Sequence, residues 1–254
     1  SKANKGLYKA VFSNKVTAII TEKTMVDYNL YQGKELSDQD INKIVKSGAK
    51  DALYAQTLVF VTYQMRTISE VKKHLTKKGA SKNQIDEIIT MLKKNRYLDD
   101  KKYVSEYIKE KIEFDLVGPK KIKQDLIKKG IHYDLINQYL SLFTKDIEQK
   151  KLNQIIVKET KYPIKKTYAK AVTSLKRKCV NKVFHISNIE TVFAENKSLL
   201  KAAIDDQSLL DNAISKAMQK YDVTSYEDKN KCIQSLMRKG FSYEQIITKL
   251  NEVV

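Results

Sequence analysis

Two prolines and seven glycines in 254 residues leave this chain few places to stop a helix. With lysine abundant among the rest, a mostly helical protein is expected. Only two cysteines occur, Cys179 and Cys232, too few for a disulfide framework or a cysteine zinc site. The longest apolar runs, such as Leu58-Val59-Phe60-Val61, fall far short of a membrane span. No secretory pattern is evident, so the expected location is the cytoplasm. Acidic residues are also scarce: 48 Lys and Arg face 30 Asp and Glu, a formal net charge of +18. Arginine is limited to Arg66, Arg96, Arg177 and Arg238. Lysine is a flexible point charge, whereas arginine gives bidentate base readout. The balance favours contacts to phosphate or acidic side chains over sequence reading. Hydrophobic residues make up 42%, enough for a folded core and against disorder.

What the chain does have is a repeat. Val71-x-x-x-Leu75-x-x-Lys78-Gly79 returns as Ile122-x-x-x-Leu126-x-x-Lys129-Gly130 and as Cys232-x-x-x-Leu236-x-x-Lys239-Gly240. A weaker copy reads Ala171-x-x-x-Leu175-x-x-Lys178-Cys179, with cysteine in the glycine position. Successive copies lie about 50 to 60 residues apart. The apolar pair shares one helix face. Lysine suits the negative end of the helix dipole, and glycine suits the left-handed residue that follows.

A second helix follows each stop, marked by Ile85, Ile88, Ile89 and Leu92, by Leu135, Ile136, Tyr139 and Leu140, and by Ile246, Ile247 and Leu250. Ser81, Ser242 and Asn188 are candidate caps or first-turn residues. Another helix precedes each pair: Leu53, Leu58, Val61 and Met65; Tyr103, Tyr107, Ile108 and Ile112; Ile155 and Ile156; Leu210, Ile214, Ala217 and Met218. The unit is therefore three helices. One such unit buries little alone, so an elongated, curved stack is expected. The first ~45 residues differ: Tyr8 to Phe12, Val16 to Ile20 and Val26 to Tyr31 read as a small antiparallel sheet, followed by a helix from about Ser37. The expected fold class is mainly α, divided into a β-rich extension over 1–46, three-helix repeats over 47–96, 97–144 and 145–197, and repeat-like helices over 198–254.

Little in the chain supports catalysis. Asp99-Asp100 are adjacent, so they make a poor acid–base or metal pair, and an Asp at a helix start caps free N–H groups. His74, His132 and His185 are scattered without metal spacing. Cys179 and Cys232 occupy repeat positions and read as core or cap. No phosphate loop, dinucleotide motif or Gly-x-Ser-x-Gly occurs. Gly118-Pro119 reads as a helix start. No cofactor or metal is expected.

The basic runs are the candidate binding residues. Lys72, Lys73, Lys77 and Lys78 lie in one middle helix, and Lys120, Lys121, Lys123, Lys128 and Lys129 in the next. Lys161, Lys165, Lys166, Lys170, Lys176, Arg177, Lys178 and Lys182 fall in the acid-free stretch 161–182, and Arg238 and Lys239 close the last copy. Middle helices set side by side would merge these charges into a stripe suited to a DNA backbone or an acidic groove. The alternative is that each run is a solvated face.

At Tyr97-Leu98-Asp99-Asp100, then Tyr103 and Gly118-Pro119, the chain resembles the RecX family of bacterial regulators. The stretch from Arg66 through Ser69-Glu70 to Lys78-Gly79 resembles its first repeat. The N-terminal strands look like the extension of longer Gram-positive members. The resemblance implies tandem three-helix repeats that bind RecA and RecA–single-stranded DNA filaments and damp recombinase, ATPase and coprotease activity. It places the chain in homologous recombination, DNA repair and the SOS response, as a monomer and not an enzyme. Arg66, Tyr97, Leu98, Asp99, Asp100, Gly118 and Pro119 carry the motif and are expected to be structural. Cys179 in place of glycine, a third repeat without Gly-Pro, and a fourth copy all depart from the family pattern. The alternative function is a general nucleic-acid-binding helical array with no RecA role.

Overall fold

The computed structural model describes residues 2–4 and 6–253; Ser1, Lys5 and Val254 lie outside it. Three strands come first: β1 (Lys2–Asn4), β2 (Leu7–Val11) and β3 (Thr17–Thr21). They form an antiparallel sheet in the order β1-β2-β3, with Leu7 opposite Thr21 and Val11 opposite Thr17. Ala18 and Ile20 alternate inward and pack on Ile44, which sets the sheet against the following helix. The third expected strand is absent. Glu22–Asp27 form helix α1, because the Thr21 hydroxyl accepts the Thr24 N–H and Glu22 sits in the first turn. Val26 points to solvent there.

Helix α2 (Asp38–Tyr63) is capped by Ser37, as expected, but runs unbroken through residues 46 and 47. It joins the extension to the first repeat as one continuous rod. Met65 falls beyond its end and is exposed rather than on an apolar face. The remaining helices are α3 (Ile68–Lys77), α4 (Lys82–Lys94), α5 (Asp100–Phe114), α6 (Pro119–Lys128), α7 (Tyr133–Leu140) and α8 (Lys145–Thr160). They continue with α9 (Tyr168–Asn181), α10 (Ile186–Glu195), α11 (Lys197–Ala202), α12 (Asp206–Met218), α13 (Tyr226–Arg238) and α14 (Tyr243–Val253). No helix among the described residues is long and apolar enough to cross a membrane.

The chain forms two compact units that interleave along the sequence: Ser1–Glu106 with Leu126–Ile136, and Tyr107–Asp125 with Asn137–Val254. In the first, Val61, Val71, Leu75, Ile88, Leu92 and Leu98 form the core of α2–α4. In the second, Leu152, Ile156, Leu175, Cys179, Ile189 and Val192 form one core, and Leu210, Ile214, Cys232, Leu236 and Ile246 another. Each fully buried Leu or Ile stabilises by roughly 1.5–3 kcal/mol over an exposed one.

The middle helices α3, α6, α9 and α13 all end the same way. The capping residue is lysine in each: Lys78, Lys129, Lys182 and Lys239. Next comes a residue with positive φ: Gly79, Gly130, Val183 and Gly240. The residue after it returns its N–H to the last buried turn, as from Ala80 to Leu75, Ile131 to Leu126, Phe184 to Cys179 and Phe241 to Leu236. This is a Schellman stop with its apolar clasp. It corrects the sequence register of the weaker copy. Helix α9 extends four residues past the expected stop, so Cys179 stands in the leucine position and Val183 in the glycine position. Burial drives the Cys179 thiol pKa up to about 11, so this sulfur is a protonated core group.

Candidate functional site

The ends of the middle helices meet other helix starts, and these junctions decide which lysines are free. In the first unit, the Thr67 hydroxyl at the start of α3 donates to the Lys129 carbonyl at 2.7 Å. The same hydroxyl accepts the Glu70 N–H, while a Glu70 carboxylate oxygen accepts the Thr67 N–H at 2.9 Å, a complete capping box. The Ile68 N–H donates to Asp100 at 2.9 Å. In the second unit the device recurs. Thr167, at the start of α9, donates to the Lys239 carbonyl at 3.1 Å, and the Tyr168 N–H donates to Asp206 at 3.2 Å. A third junction substitutes backbone for hydroxyl: the Gly118 N–H donates to the Lys182 carbonyl at 2.8 Å. A Cβ on Gly118 would lie 2.1 Å from the Val183 carbonyl oxygen, so only glycine fits. Pro119 then opens α6 without an N–H that needs a partner.

The middle helices thus meet end to end within each unit, where the sequence reading set them side by side. At Thr67 one hydroxyl serves both an orphan N–H of α3 and the Lys129 carbonyl, at Gly118 an N–H meets the Lys182 carbonyl directly, and at Thr167 the hydroxyl serves the Lys239 carbonyl alone.

Of the motif residues, Asp99, Asp100, Gly118 and Pro119 sit at helix starts. Asp99 caps its own helix, accepting the Lys101 and Lys102 N–H groups at 2.8 and 3.2 Å. Asp100, one residue on, caps the neighbouring helix instead. Burial raises the Asp100 pKa against the opposing pull of the Ile68 N–H. Leu98 is buried with the α2–α4 core, and Tyr97 is exposed. Arg66 lies 4.4 Å from the Phe60 ring centroid, and His74 stacks on Phe60 at 4.2 Å. Burial, then Lys78 and Arg66, lower the His74 pKa, so the ring adds no charge to α3 at neutral pH. Ser81 and Ser242 cap α4 and α14. Asn188 lies in the first turn of α10, buried, where its amide donates to Glu148 at 2.7 Å. That same carboxylate accepts the His185 N–H and meets the His185 ring nitrogen, so His185 is held within the fold.

Several of the basic residues are occupied. Lys129 donates to Glu70 at 3.1 Å and sits 5.4 Å from the Tyr103 ring centroid. Lys121 pairs with Asp125 at 2.8 Å, and Lys123 donates to Asn137 at 3.1 Å. Lys176 pairs with Glu190 and Lys178 with Glu159. The stretch 161–182 has no acid of its own, yet neighbouring segments neutralise these two positions. Two more lysines are tied to the main chain: Lys151, outside the basic runs, is buried and donates to the Lys111 and Asp115 carbonyls, and Lys182, at the end of the basic stretch, donates to the Leu116 carbonyl. No sequence signal separates these from surface lysines, because their acceptors are main-chain groups.

Others are exposed: Lys72, Lys73, Lys77 and Lys78 on α3, Lys120 and Lys128 on α6, Arg177 on α9, and Arg238 on α13. Lys165, Lys166 and Lys170 of the basic stretch 161–182 line one cleft at the α9–α13 junction with Lys239 and with Lys216, which stands outside the basic runs. Among the described residues, no group of three or more His, Cys, Asp or Glu is placed to hold a metal ion.

Residues 99–140 match the family model for the second three-helix domain of RecX, and 205–249 match that for the third. Helices α8–α11 lie between the two matched stretches. The Regulatory protein RecX of Lactococcus lactis subsp. lactis strain IL1403 is 33% identical over 250 residues, 95% of this chain and 91% of that one. This chain belongs to the RecX family. That of Bacillus licheniformis is 34% identical over 239 residues, covering 90% and 87% of the two chains. A crystal structure of RecX from Lactobacillus salivarius is 26% identical, with a TM-score of 0.52, over 57% of this chain and 95% of that one. Another crystal structure of a regulatory protein RecX shares the fold, with a TM-score of 0.60 at 24% identity. RecX proteins are a regulatory family and not an enzyme family, which agrees with a site built of helix caps and cations.

Proposed function

We propose that this chain binds RecA and RecA–single-stranded DNA filaments and inhibits their recombinase, ATPase and coprotease activities in the cytoplasm, as a monomer. The observation that carries this reading is membership of the RecX regulators over more than nine-tenths of the chain. The surplus of +18 supports an anionic partner, and the exposed lysines of α3 supply a face for one. In this reading the segments 47–96, 97–144, 145–197 and 198–254 act as successive three-helix contact modules beside the 1–46 extension.

The test is binding to preformed RecA–single-stranded DNA filaments beside naked single-stranded DNA, at near-physiological salt, with RecA ATPase read in parallel. Tight filament binding with reduced ATPase is the expected result. Equal binding to naked DNA with no ATPase effect replaces this reading with a general nucleic-acid-binding array. That second reading is favoured by the net charge alone.

A further inference from the structure

The two threonine junctions share a backbone plan but differ in charge. Around Thr67, Glu70 pairs with Lys129, and Lys129 lies over Tyr103. Counting from Thr167, the residue matching Glu70 is Lys170. Counting from Asp206, the match to Asp100, the residues matching Tyr103, Glu106 and Glu110 are Leu209, Asn212 and Lys216. Every acid of the earlier copy at these positions is neutral or basic in the later one.

The consequence is a cleft of about 320 Å³ rimmed by Lys165, Lys166, Lys170, Lys216 and Lys239. Leu209, Ala213 and Phe241 form its apolar floor, and no carboxylate lines it. Asp206 is near but serves the Tyr168 N–H, as Asp100 serves Ile68. Thr167 makes no side-chain cap, so the first turn of α9 also lacks the bond that Thr67 accepts from the Glu70 N–H. Five lysines and the positive end of a helix line this cleft, one of them, Lys166, reaching the Ser174 hydroxyl at 3.4 Å, and none of its lining residues is the counterpart of Glu70 at the earlier junction.

We propose that the α9–α13 junction is an anion-binding cleft that takes the phosphate backbone of a single-stranded nucleic acid. The number and kind of cations select the occupant. One carboxylate would neutralise one lysine. A nucleic-acid strand brings a negative charge at every nucleotide, and lysine meets phosphate as a point charge without needing the planar match that arginine gives a carboxylate. The apolar floor suits the sugar and base faces between phosphates. This deepens the function proposed above and rests on it only for the kind of partner.

The internal comparison supplies the test. Lys170→Glu recreates the earlier junction, with a carboxylate placed to pair with Lys239 as Glu70 pairs with Lys129. The full chain is titrated against labelled oligo(dT), without RecA, over a range of salt, with thermal unfolding as the folding control. The expected result for K170E is binding weakened about tenfold or more near 0.1 M salt, and a shallower salt slope by about one unit, with Tm unchanged or raised. The same charge change at Lys94, an exposed residue of α4 outside the cleft, is expected to weaken binding by less than about threefold. Equal losses in K170E and K94E overturn the cleft. A parent protein that binds polyglutamate but not oligo(dT) overturns its nucleic-acid occupant. Intact oligo(dT) binding with no action on RecA filaments sinks the RecA reading alone; unchanged oligo(dT) binding by K170E, with filament inhibition intact, sinks this one alone.

Discussion

The Thr67 and Thr167 junctions solve the same backbone problem with different side chains. Both place a threonine hydroxyl on the last carbonyl of another middle helix, and both hand the next N–H to an aspartate. The first then closes itself with a capping box and an ion pair. The second leaves its cations uncompensated. Backbone satisfaction is obligatory wherever helix ends are buried, whereas charge compensation at a half-exposed rim is not. The shared part therefore belongs to the fold, and the differing part is free to serve binding.

The sharpest way to break the comparison is to remove each hydroxyl. Thr67→Val strands the Lys129 carbonyl and the Glu70 N–H together, and should cost about 2–3 kcal/mol. Thr167→Val strands only the Lys239 carbonyl, through a longer bond, and should cost about 1 kcal/mol. Urea denaturation of the two variants measures both. Equal losses would show that the capping box adds nothing to the first junction.

Glu70→Gln separates charge from hydrogen bonding, since the amide oxygen still accepts the Thr67 N–H. Burial opposes ionisation of Glu70, but the Thr67 N–H and the Lys129 ammonium outweigh it, and the pKa lies below the ordinary carboxylate value. An acid with a lowered folded pKa contributes stability above its unfolded pKa and loses it as pH falls through the folded value. E70Q should thus lose about 1 kcal/mol at pH 7, and the gap from the parent should close in acid. A gap independent of pH between 3 and 7 would contradict the ion pair. At the later junction no comparable acid exists to titrate.

These junctions also mark how far the sequence could be read. The Lys-Gly stops and the i, i+4 apolar pairs disclosed three of the four middle helices, because a Schellman stop has a local cause in glycine. Ser81, Ser242, Pro119 and Asp99 were legible for the same reason: each acts on its own helix. The partners of Thr67, Thr167 and Gly118 were not, since their acceptors lie 62, 72 and 64 residues away along the chain and are main-chain carbonyls. Lys216 was not legible, because it stands alone in sequence and meets the lysines of the basic stretch only across the cleft. The partners of Lys176 and Lys178 were not legible either, because the acids that pair with them lie outside the basic run. The strand expected at Val26 to Tyr31 failed where a threonine cap overrode β propensity.

The smallest expected effect concerns the one middle helix whose stop lacks glycine. Val183 has φ of 63°, a left-handed conformation that a β-branched residue adopts only under strain. Its N–H still returns to Val180, and Phe184 still closes the Schellman pattern, so the surrounding bonds hold the residue there. Val183→Gly relieves about 1–2 kcal/mol of left-handed strain, against about 0.5–1 kcal/mol of added backbone freedom in the unfolded chain. Val183 is only partly buried, so little packing is lost. The net expectation is a gain of about 0.5 kcal/mol, read as a rise in Tm. The reciprocal change Gly130→Val would have to accept both the strained φ and a Cβ 2.2 Å from the Ser69 hydroxyl, and should destabilise. If V183G lowers Tm instead, the valine side chain contributes more to the α6–α9 junction than its backbone costs. The glycine-free stop would then be a packing choice at that junction and not a strained exception to the repeat.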